Sequence, residues 1–246
     1  MAEEKTMSLI NHLEELRQRI IISALAILVV TAIAFFLSDA ILKILLLPAG
    51  EMRLNAFSIM DGFLIKWRVA LYLGIVIAFP IWAYEIYKFV APGLTDHEQK
   101  AIFPMLWGAL VLFLMGAVFG YYLLWGMVRV LVQFFPREVT YLPSADDYIS
   151  FVVFFLLACG IAFQLPILLI ILLRLRIVSV DLLRKQRKIA YFALFVFAEI
   201  ITPVSDPIVA PLSVMGPLVV LYEVSIWIGR GIERRRKHDE ERALAL

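Results

Sequence analysis

Acidic side chains recur where the chain enters its apolar segments, and carboxylates are the groups that bind guanidinium cations. Glu14 and Glu15 stand just before the first long apolar run, and Glu98 follows the second one in the segment APGLTDHEQK. A carboxylate can hold a guanidinium through two parallel hydrogen bonds, a geometry that lysine cannot match. Two such carboxylates on one surface would suit a ligand with two arginines. Thr95, three residues before Glu98, also fits a helix-capping box, which gives Glu98 a structural alternative.

Interactions within one helix are the competing explanation for the first two acids. Glu14 lies three residues before Arg17 and three after Asn11, so it fits both an ion pair and a capping box. Glu15 lies four residues before Arg19, a spacing at which opposite charges on a helix attract by a few tenths of a kcal/mol. Spacing alone favours these structural roles for both acids.

Two polar residues lie within or beside the later apolar runs. Gln164, in IAFQLPILL, is an amide that needs hydrogen-bond partners inside a membrane. Two roles fit it equally well. One is a hydrogen bond of about 1 kcal/mol to a carbonyl that Pro166 frees or that lies on a neighbouring helix; the other is a polar contact with a ligand or partner helix. Asp206, in TPVSDP, suits the N-cap of the last helix because Pro207 follows it.

Patterns typical of catalysis and metal binding are absent from the sequence. It contains no G-x-x-x-x-G-K-[ST] phosphate loop and no H-E-x-x-H zinc motif. The three histidines lie outside the apolar runs, so no serine–histidine pair or proton relay is expected inside a membrane segment. Cys159 is the only cysteine, which excludes an internal disulfide and a cysteine-rich metal site. We therefore predict no enzyme activity, no cofactor and no metal.

The elements that must position these residues are membrane helices. Hydrophobic residues make up 63% of the 246-residue chain and its mean hydropathy is +0.90, whereas soluble domains are about 45–50% apolar. We predict an all-α integral membrane protein with six transmembrane helices, the last two short. The apolar runs are residues 20–37, 69–90, 103–135, 149–173, 189–201 and 208–228. The fifth run is too short for a comfortable span.

Positive charges predict the orientation of these spans. Lys and Arg cluster in residues 174–188 and in the tail, residues 229–246, and both segments should therefore be cytoplasmic. An even number of spans then places both ends inside, within one transmembrane domain that comprises an N-terminal segment, residues 1–19, a six-span core, residues 20–228, and the tail. Topology explains the basic tail, so we predict no binding to nucleic acid. The acidic start, MAEEKTM, argues against a cleaved signal peptide.

Five ordered motifs resemble the TatC family, the multi-spanning core of the twin-arginine protein translocase. HLEELRQR, at residues 12–19, matches H-L-x-E-L-R-x-R. FPIWAYEIYKFVAPGLTDHE, at residues 79–98, matches F-P-x-x-x-Y-x-x-x-x-F-x-x-P-G-L-x-x-x-E. GIAFQLP matches the G-x-x-F-E-x-P region, and ITPVSDP and PLVVLYE match the segments around the last loop and span. The motifs extend over nearly the whole chain.

The resemblance implies a function in protein export. Members recognise signal peptides with two consecutive arginines on folded cargo, recruit the single-span partners TatA and TatB, and use the proton-motive force. The resemblance implies that Glu15 and Glu98 contact the arginines, that Arg17 and Phe89 belong to the same cytoplasmic site, and that Asp206 serves transport on the outer side. It also implies self-association in a complex within the cytoplasmic membrane of a prokaryote.

Gln164 departs from the family pattern, because many members carry Glu at this position. Gln cannot ionise, so proton transfer there is not implied for this chain, whereas hydrogen bonding to a partner helix or signal peptide is. The alternative function is a secondary transporter with a mid-membrane site at Gln164 and helices broken near Pro166 and Pro211. The two halves of the sequence show no repeat and no ionisable pair at mid-membrane, which favours the translocase.

Overall fold

The protein is built of helices. The computed structural model describes residues 9–50, 52–93, 96–133, 142–202 and 209–244. In these ranges the only pairing of extended backbone is one isolated bridge between Asn55 and Ser144, so the predicted all-α class is confirmed. The α-helices are α1 Leu9–Ala34, α2 Ser38–Leu46, α3 Asp61–Ile77, α4 Phe79–Val90, α5 Asp96–Gln133, α6 Ala145–Ala162, α7 Leu165–Arg174, α8 Val180–Lys185, α9 Arg187–Ile201 and α10 Val209–Leu244.

Several of these helices are long and apolar enough to cross a membrane. Within the ranges given above they are Ile10–Ala49, Met105–Val130, Ala145–Arg174 and Ala210–Arg235. The pair α3 and α4, bent by 53° at a short break, supplies a fifth span if it counts as one. Helix α9 has 15 residues, whereas a membrane helix needs about 17–25. Length and composition thus support four or five spans; α9 as a sixth span, and the orientation of both ends, stay predictions.

The first helical stretch is longer than its predicted apolar run, residues 20–37. Apart from a 3₁₀ turn at Phe35–Leu37, helix continues through α1 and α2. The physical reason is that no Gly or Pro interrupts the sequence before Pro48. Gly50 then adopts a φ of 61°, a left-handed conformation that favours glycine and that ends the stretch.

The last helix is also longer than predicted. Helix α10 contains Pro217 and continues to Leu244, through most of the segment expected only as a basic tail. That segment, ERRRKHDEERAL, has no Gly or Pro and is rich in residues with high helix propensity. The charged tail is therefore a continuation of the last apolar helix.

Prolines break two of the predicted spans, and other groups satisfy the freed backbone. Helix α3 ends at Ile77 and α4 begins two residues later, with Pro80 in its first turn. Proline has no N–H to donate to the carbonyl four residues earlier, and the last carbonyls of α3 also lack helical partners where the helix ends. The indole Nε1 of Trp82 donates to the carbonyl oxygen of Ile75 at 3.1 Å. Helices α6 and α7 are separated in the same way before Pro166.

A close crossing holds α1 against the rest of the bundle. Helix α1 packs on α3 and α4, α3 also on α6, α5 on α6, and α10 on α7 and α9. Where α1 crosses α3, a Cβ added at Gly74 would lie 2.0 Å from the Thr31 Oγ1, so only glycine fits there. The N-terminal half of α1 packs along α4.

Candidate functional site

One face of α1 meets α4 at the end of the bundle where α4 stops. His12, Glu15 and Arg19 are spaced by three and four residues, which places them on one face of α1. Glu85 and Phe89, four residues apart, face them from α4. The rings of His12 and Phe89 stack with centroids 4.3 Å apart and planes inclined by 13°. We refer to these five residues as the α1–α4 site.

The Arg19 guanidinium lies between the two carboxylates of this site. Its Nη2 donates to the Glu15 Oε1 at 3.0 Å, and its Nη1 donates to the Glu85 Oε2 at 2.9 Å. Two carboxylates therefore share one guanidinium, and the three groups together carry a charge of −1. Lys88 is a weaker partner, because its Nζ is 3.9 Å from the Glu85 Oε1 and lies over the ring of Tyr84, 4.6 Å from its centroid.

One carboxylate oxygen of the site is covered by the surrounding chain but has no hydrogen-bond donor among the described residues. The Glu15 Oε2 is buried and has no hydrogen-bond partner in the part of the chain that the structure describes. A buried polar atom without a partner costs free energy that an incoming donor can recover. The α1–α4 site thus presents a hydrogen-bond acceptor with a negative charge, the chemistry that binds a guanidinium.

The predicted Glu15–Arg19 pair is confirmed, but the local interactions predicted for Glu14 are not. Glu14 and Arg17 are both exposed and form no ion pair with each other. Asn11 lies within α1, so the predicted capping box is wrong: the helix begins upstream of it, where no residue breaks the helical run. Glu14 is left without a structural role among the residues described here.

The remaining predicted binding residues lie at the same end of the bundle. Phe89 is part of the α1–α4 site, and Arg17 is two residues from Glu15, on the exposed side of α1. Glu98 is in the first turn of α5, which begins six residues after α4 ends; its side chain lies outside the described part, as does Thr95. Asp206, predicted on the opposite side, also lies outside it.

Gln164 joins the break between α6 and α7 to α5. Its Nε2 donates to the carbonyl oxygen of Ala109 at 3.1 Å, so the bond to a neighbouring helix is the one that forms. The same residue lines a cavity of about 480 Å³, bounded by α4, α5, α7 and α9 and otherwise almost wholly apolar. Trp82 and Phe197 are on its wall. The amide is therefore partly satisfied within the chain and also borders a space into which an apolar segment could pack.

The sequence predicted none of the ionic contacts between helices; besides Lys66–Asp39 and Arg68–Asp146, two such contacts involve a glutamate. One is the Glu85–Arg19 pair; the other is a cluster that joins α9 and α10, in which the Glu223 Oε2 accepts from Arg187 and the Oε1 accepts from the Tyr191 hydroxyl at 2.6 Å. We refer to it as the α9–α10 cluster. In both cases the sequence contained one indication, a single Glu within an apolar run. Such a Glu indicates an ion pair, because a buried charge must be paired.

These clusters do not resemble a metal site. Among the described residues, no group of three or more His, Cys, Asp or Glu is arranged to hold a metal ion. Each cluster instead pairs carboxylates with guanidinium groups. The chemistry available at the α1–α4 site is therefore the binding of cations and hydrogen-bond donors.

Comparison with known proteins agrees with this architecture. A family model described as Sec-independent protein translocase protein (TatC) matches residues 11–217. TatC of Carboxydothermus hydrogenoformans is 38% identical over 243 residues, which cover 98% of this chain and 100% of that protein. TatCy of Bacillus subtilis is 36% identical over 236 residues, which cover 93% of this chain and 91% of that protein.

Solved structures give the same result. A crystal structure described as the twin-arginine translocase receptor TatC is 34% identical, with a TM-score of 0.75 over 89% of this chain and 98% of that one. A second structure of that receptor, in the detergent DDM, has a TM-score of 0.77 at the same identity. These names describe a translocase and its receptor, not an enzyme. The near-complete family match, together with this likeness in fold, shows that the chain belongs to the TatC family of Sec-independent protein translocase proteins.

Proposed function

We propose that the α1–α4 site binds the arginines of twin-arginine signal peptides at the cytoplasmic face of the membrane. The observation that carries this proposal is the open Glu15 Oε2, buried beside a group of side chains with a net charge of −1. Among the described residues that oxygen has no donor to lose, so a peptide guanidinium that displaces the side chains covering it can donate to it. Lysine offers only a point charge and is the poorer ligand.

The second arginine of the peptide requires a second carboxylate, and we assign this role to Glu98. The first turn of α5 follows α4 closely along the chain, which brings Glu98 to the same end as Glu15. Phe89, stacked on His12, provides an apolar wall, and the exposed Arg17 borders the site. This arrangement supports the recognition of two adjacent guanidinium groups by two separate carboxylates.

The wider proposal places this chain in an export complex. We propose that the protein spans the cytoplasmic membrane of a prokaryote six times, with both ends inside. In this proposal it associates with other copies of itself, recruits TatA- and TatB-type single-span partners, and exports folded proteins with the proton-motive force. The basic segments near α8 and at the end of α10 support this orientation. Asp206 would serve transport rather than peptide binding, as the family resemblance implies.

A crosslinking experiment tests the peptide-binding proposal. A photoreactive probe replaces Gln18, a neutral and exposed residue of α1 three positions after Glu15, in the full-length protein in membrane vesicles, and a twin-arginine signal peptide is compared with its twin-lysine variant. We expect clearly stronger labelling by the twin-arginine peptide. Equal labelling by the two peptides would show that the site does not select guanidinium groups. A probe at Gln133, at the far end of α5 and exposed, is the matched control and should label neither peptide.

Gln164 is proposed as the polar contact with a partner helix inside the bilayer. It borders the apolar cavity, and its carbonyl-type oxygen can accept a bond while Nε2 remains with Ala109. Gln164→Ala should weaken co-purification of TatA- or TatB-type partners severalfold, since one such bond is worth about 1 kcal/mol. Peptide binding at the α1–α4 site should stay unchanged. Loss of both activities together would contradict this separation.

A further inference from the structure

We propose that Glu85 is a positioning residue of the α1–α4 site, which holds the Arg19 guanidinium so that Glu15 keeps its negative charge available to an incoming arginine. This inference rests on the proposed recognition of arginine peptides at the same site. It assigns a role to an acid that lies 66 residues from Arg19 in the sequence and joins it only through the packing of α4 on α1.

Burial indicates which carboxylate keeps Arg19. The Glu85 side chain is 9% exposed, whereas that of Glu15 is 17% exposed and has a second oxygen without a partner. Breaking a buried ion pair by removing one partner is strongly unfavourable, because the other charge remains uncompensated. Arg19 therefore stays on Glu85, and Glu15 is the carboxylate that can change partners when a ligand arrives.

The charge balance of the site depends on Glu85. Glu15 and Arg19 alone would form a neutral pair with little attraction for a cationic peptide. With Glu85 the three groups carry −1, so the arrival of one guanidinium makes the set neutral. Lys88 does not substitute for Arg19, because its Nζ is 3.9 Å from Glu85 and its side chain is 38% exposed. Glu85 thus adds a negative charge to the neutral Glu15–Arg19 pair, and the resulting site attracts a cation.

Binding of a labelled twin-arginine peptide to the full-length protein in detergent micelles tests this role. Glu85→Gln preserves the shape of the side chain and should weaken binding about tenfold, the effect of losing one charged partner. Arg19→Gln should bind at least as tightly as wild type. The double variant Arg19→Gln with Glu85→Gln has the same net charge as wild type and should return to within about threefold of wild-type affinity.

The matched control is Glu14→Gln, which removes the same charge from an exposed position next to Glu15 and should leave affinity unchanged. A merely structural role for Glu85 would lower the thermal midpoint of Glu85→Gln and leave the ratio of twin-arginine to twin-lysine peptide affinity unchanged, whereas the positioning role predicts that this ratio falls. The inference is overturned if Glu85→Gln binds like wild type, or if the double variant is as weak as Glu85→Gln. If Glu85→Gln does not fold, the double variant is tested instead. The inference is then overturned if the double variant binds twin-arginine and twin-lysine peptides equally.

The outcome separates the two proposals. If wild type binds twin-arginine and twin-lysine peptides equally, the proposed function fails, whatever the variants do. If wild type selects arginine and only the Glu85 variants depart from expectation, the proposed function stands and the positioning role is wrong.

Discussion

The α1–α4 site and the α9–α10 cluster both contain arginine–glutamate pairs, but their carboxylate oxygens differ in how many have hydrogen-bond donors. Each joins two helices through an arginine and a glutamate from different parts of the sequence. In the α9–α10 cluster both oxygens of Glu223 have donors, Arg187 and Tyr191. In the α1–α4 site the Glu15 Oε2 has none among the described residues, and two carboxylates share one guanidinium.

This difference separates a structural ion pair from a binding site. A carboxylate whose two oxygens both have donors and whose charge is balanced gains little from a further cation, and removing its partner leaves a charge uncompensated. A carboxylate with an open oxygen and an excess of negative charge gains a hydrogen bond when a cation arrives. The contrast predicts that Glu15→Gln affects peptide binding more than stability, and that Glu223→Gln affects stability more than peptide binding.

The largest expected effect is on peptide binding. Glu15→Gln should weaken twin-arginine peptide binding roughly tenfold to a hundredfold, because a charge-assisted hydrogen bond is worth about 1.5–3 kcal/mol. Glu223→Gln should leave it unchanged, since its acceptors are occupied within the chain. Titration of a labelled peptide onto each purified variant measures both. Equal losses in the two variants would remove the distinction between the clusters.

A smaller effect is expected on stability, and here Glu223→Gln should have the larger effect of the two variants. Glu223→Gln should lower the free energy of unfolding by about 1 kcal/mol, because Arg187 loses its carboxylate partner at a partly exposed position. The midpoint of thermal denaturation in detergent would fall by about 2–4 °C. Glu15→Gln should change it little, since Arg19 remains paired with Glu85. A larger drop for Glu15→Gln would assign it a structural role instead.

The smallest expected effect tests whether a carboxylate oxygen without a donor is enough to bind a cation. Tyr191→Phe removes the donor to the Glu223 Oε1 and leaves that oxygen open, as in Glu15. We expect a stability loss of about 0.5 kcal/mol, at the low end for one hydrogen bond because the cluster is partly exposed, and no gain in peptide binding, because Arg187 still balances the charge of Glu223. Peptide crosslinking near α9 reports on this. New arginine-selective labelling there would show that an open oxygen suffices without excess charge.

The helical runs were predictable from the sequence because they depend on local composition. Uninterrupted apolar residues predicted most of the long helices, and Pro80 and Pro166 marked two breaks, whereas α10 continues through Pro217, where an interruption was expected. The ends of the helices were less predictable. Helix continued through charged segments such as the one after Gly231, because hydropathy measures preference for the membrane whereas helix ends depend on Gly, Pro and capping.

The candidate site was predictable only in part. The i,i+4 spacing of Glu15 and Arg19 is a local property and was confirmed. The pairing of Arg19 with Glu85 was not predictable, because hydropathy and helical spacing carry no information on which face of α4 meets α1. From the sequence, Gln164 fitted both a hydrogen bond within the chain and a contact with a ligand or partner helix. Its bond to the carbonyl oxygen of Ala109 forms because α5 packs beside it, which the sequence does not reveal.

The sequence by itself determined that this is a helical membrane protein of the TatC family, with carboxylates near the ends of its first helices. Composition and ordered motifs suffice for that, since both are properties of the chain before it folds. Tertiary structure alone decided that Arg19 is shared between Glu15 and Glu85 and that one oxygen stays open. The physical reason is that hydrogen-bond satisfaction depends on which helices pack together, and α1, which crosses α3 closely at Gly74, also packs on α4.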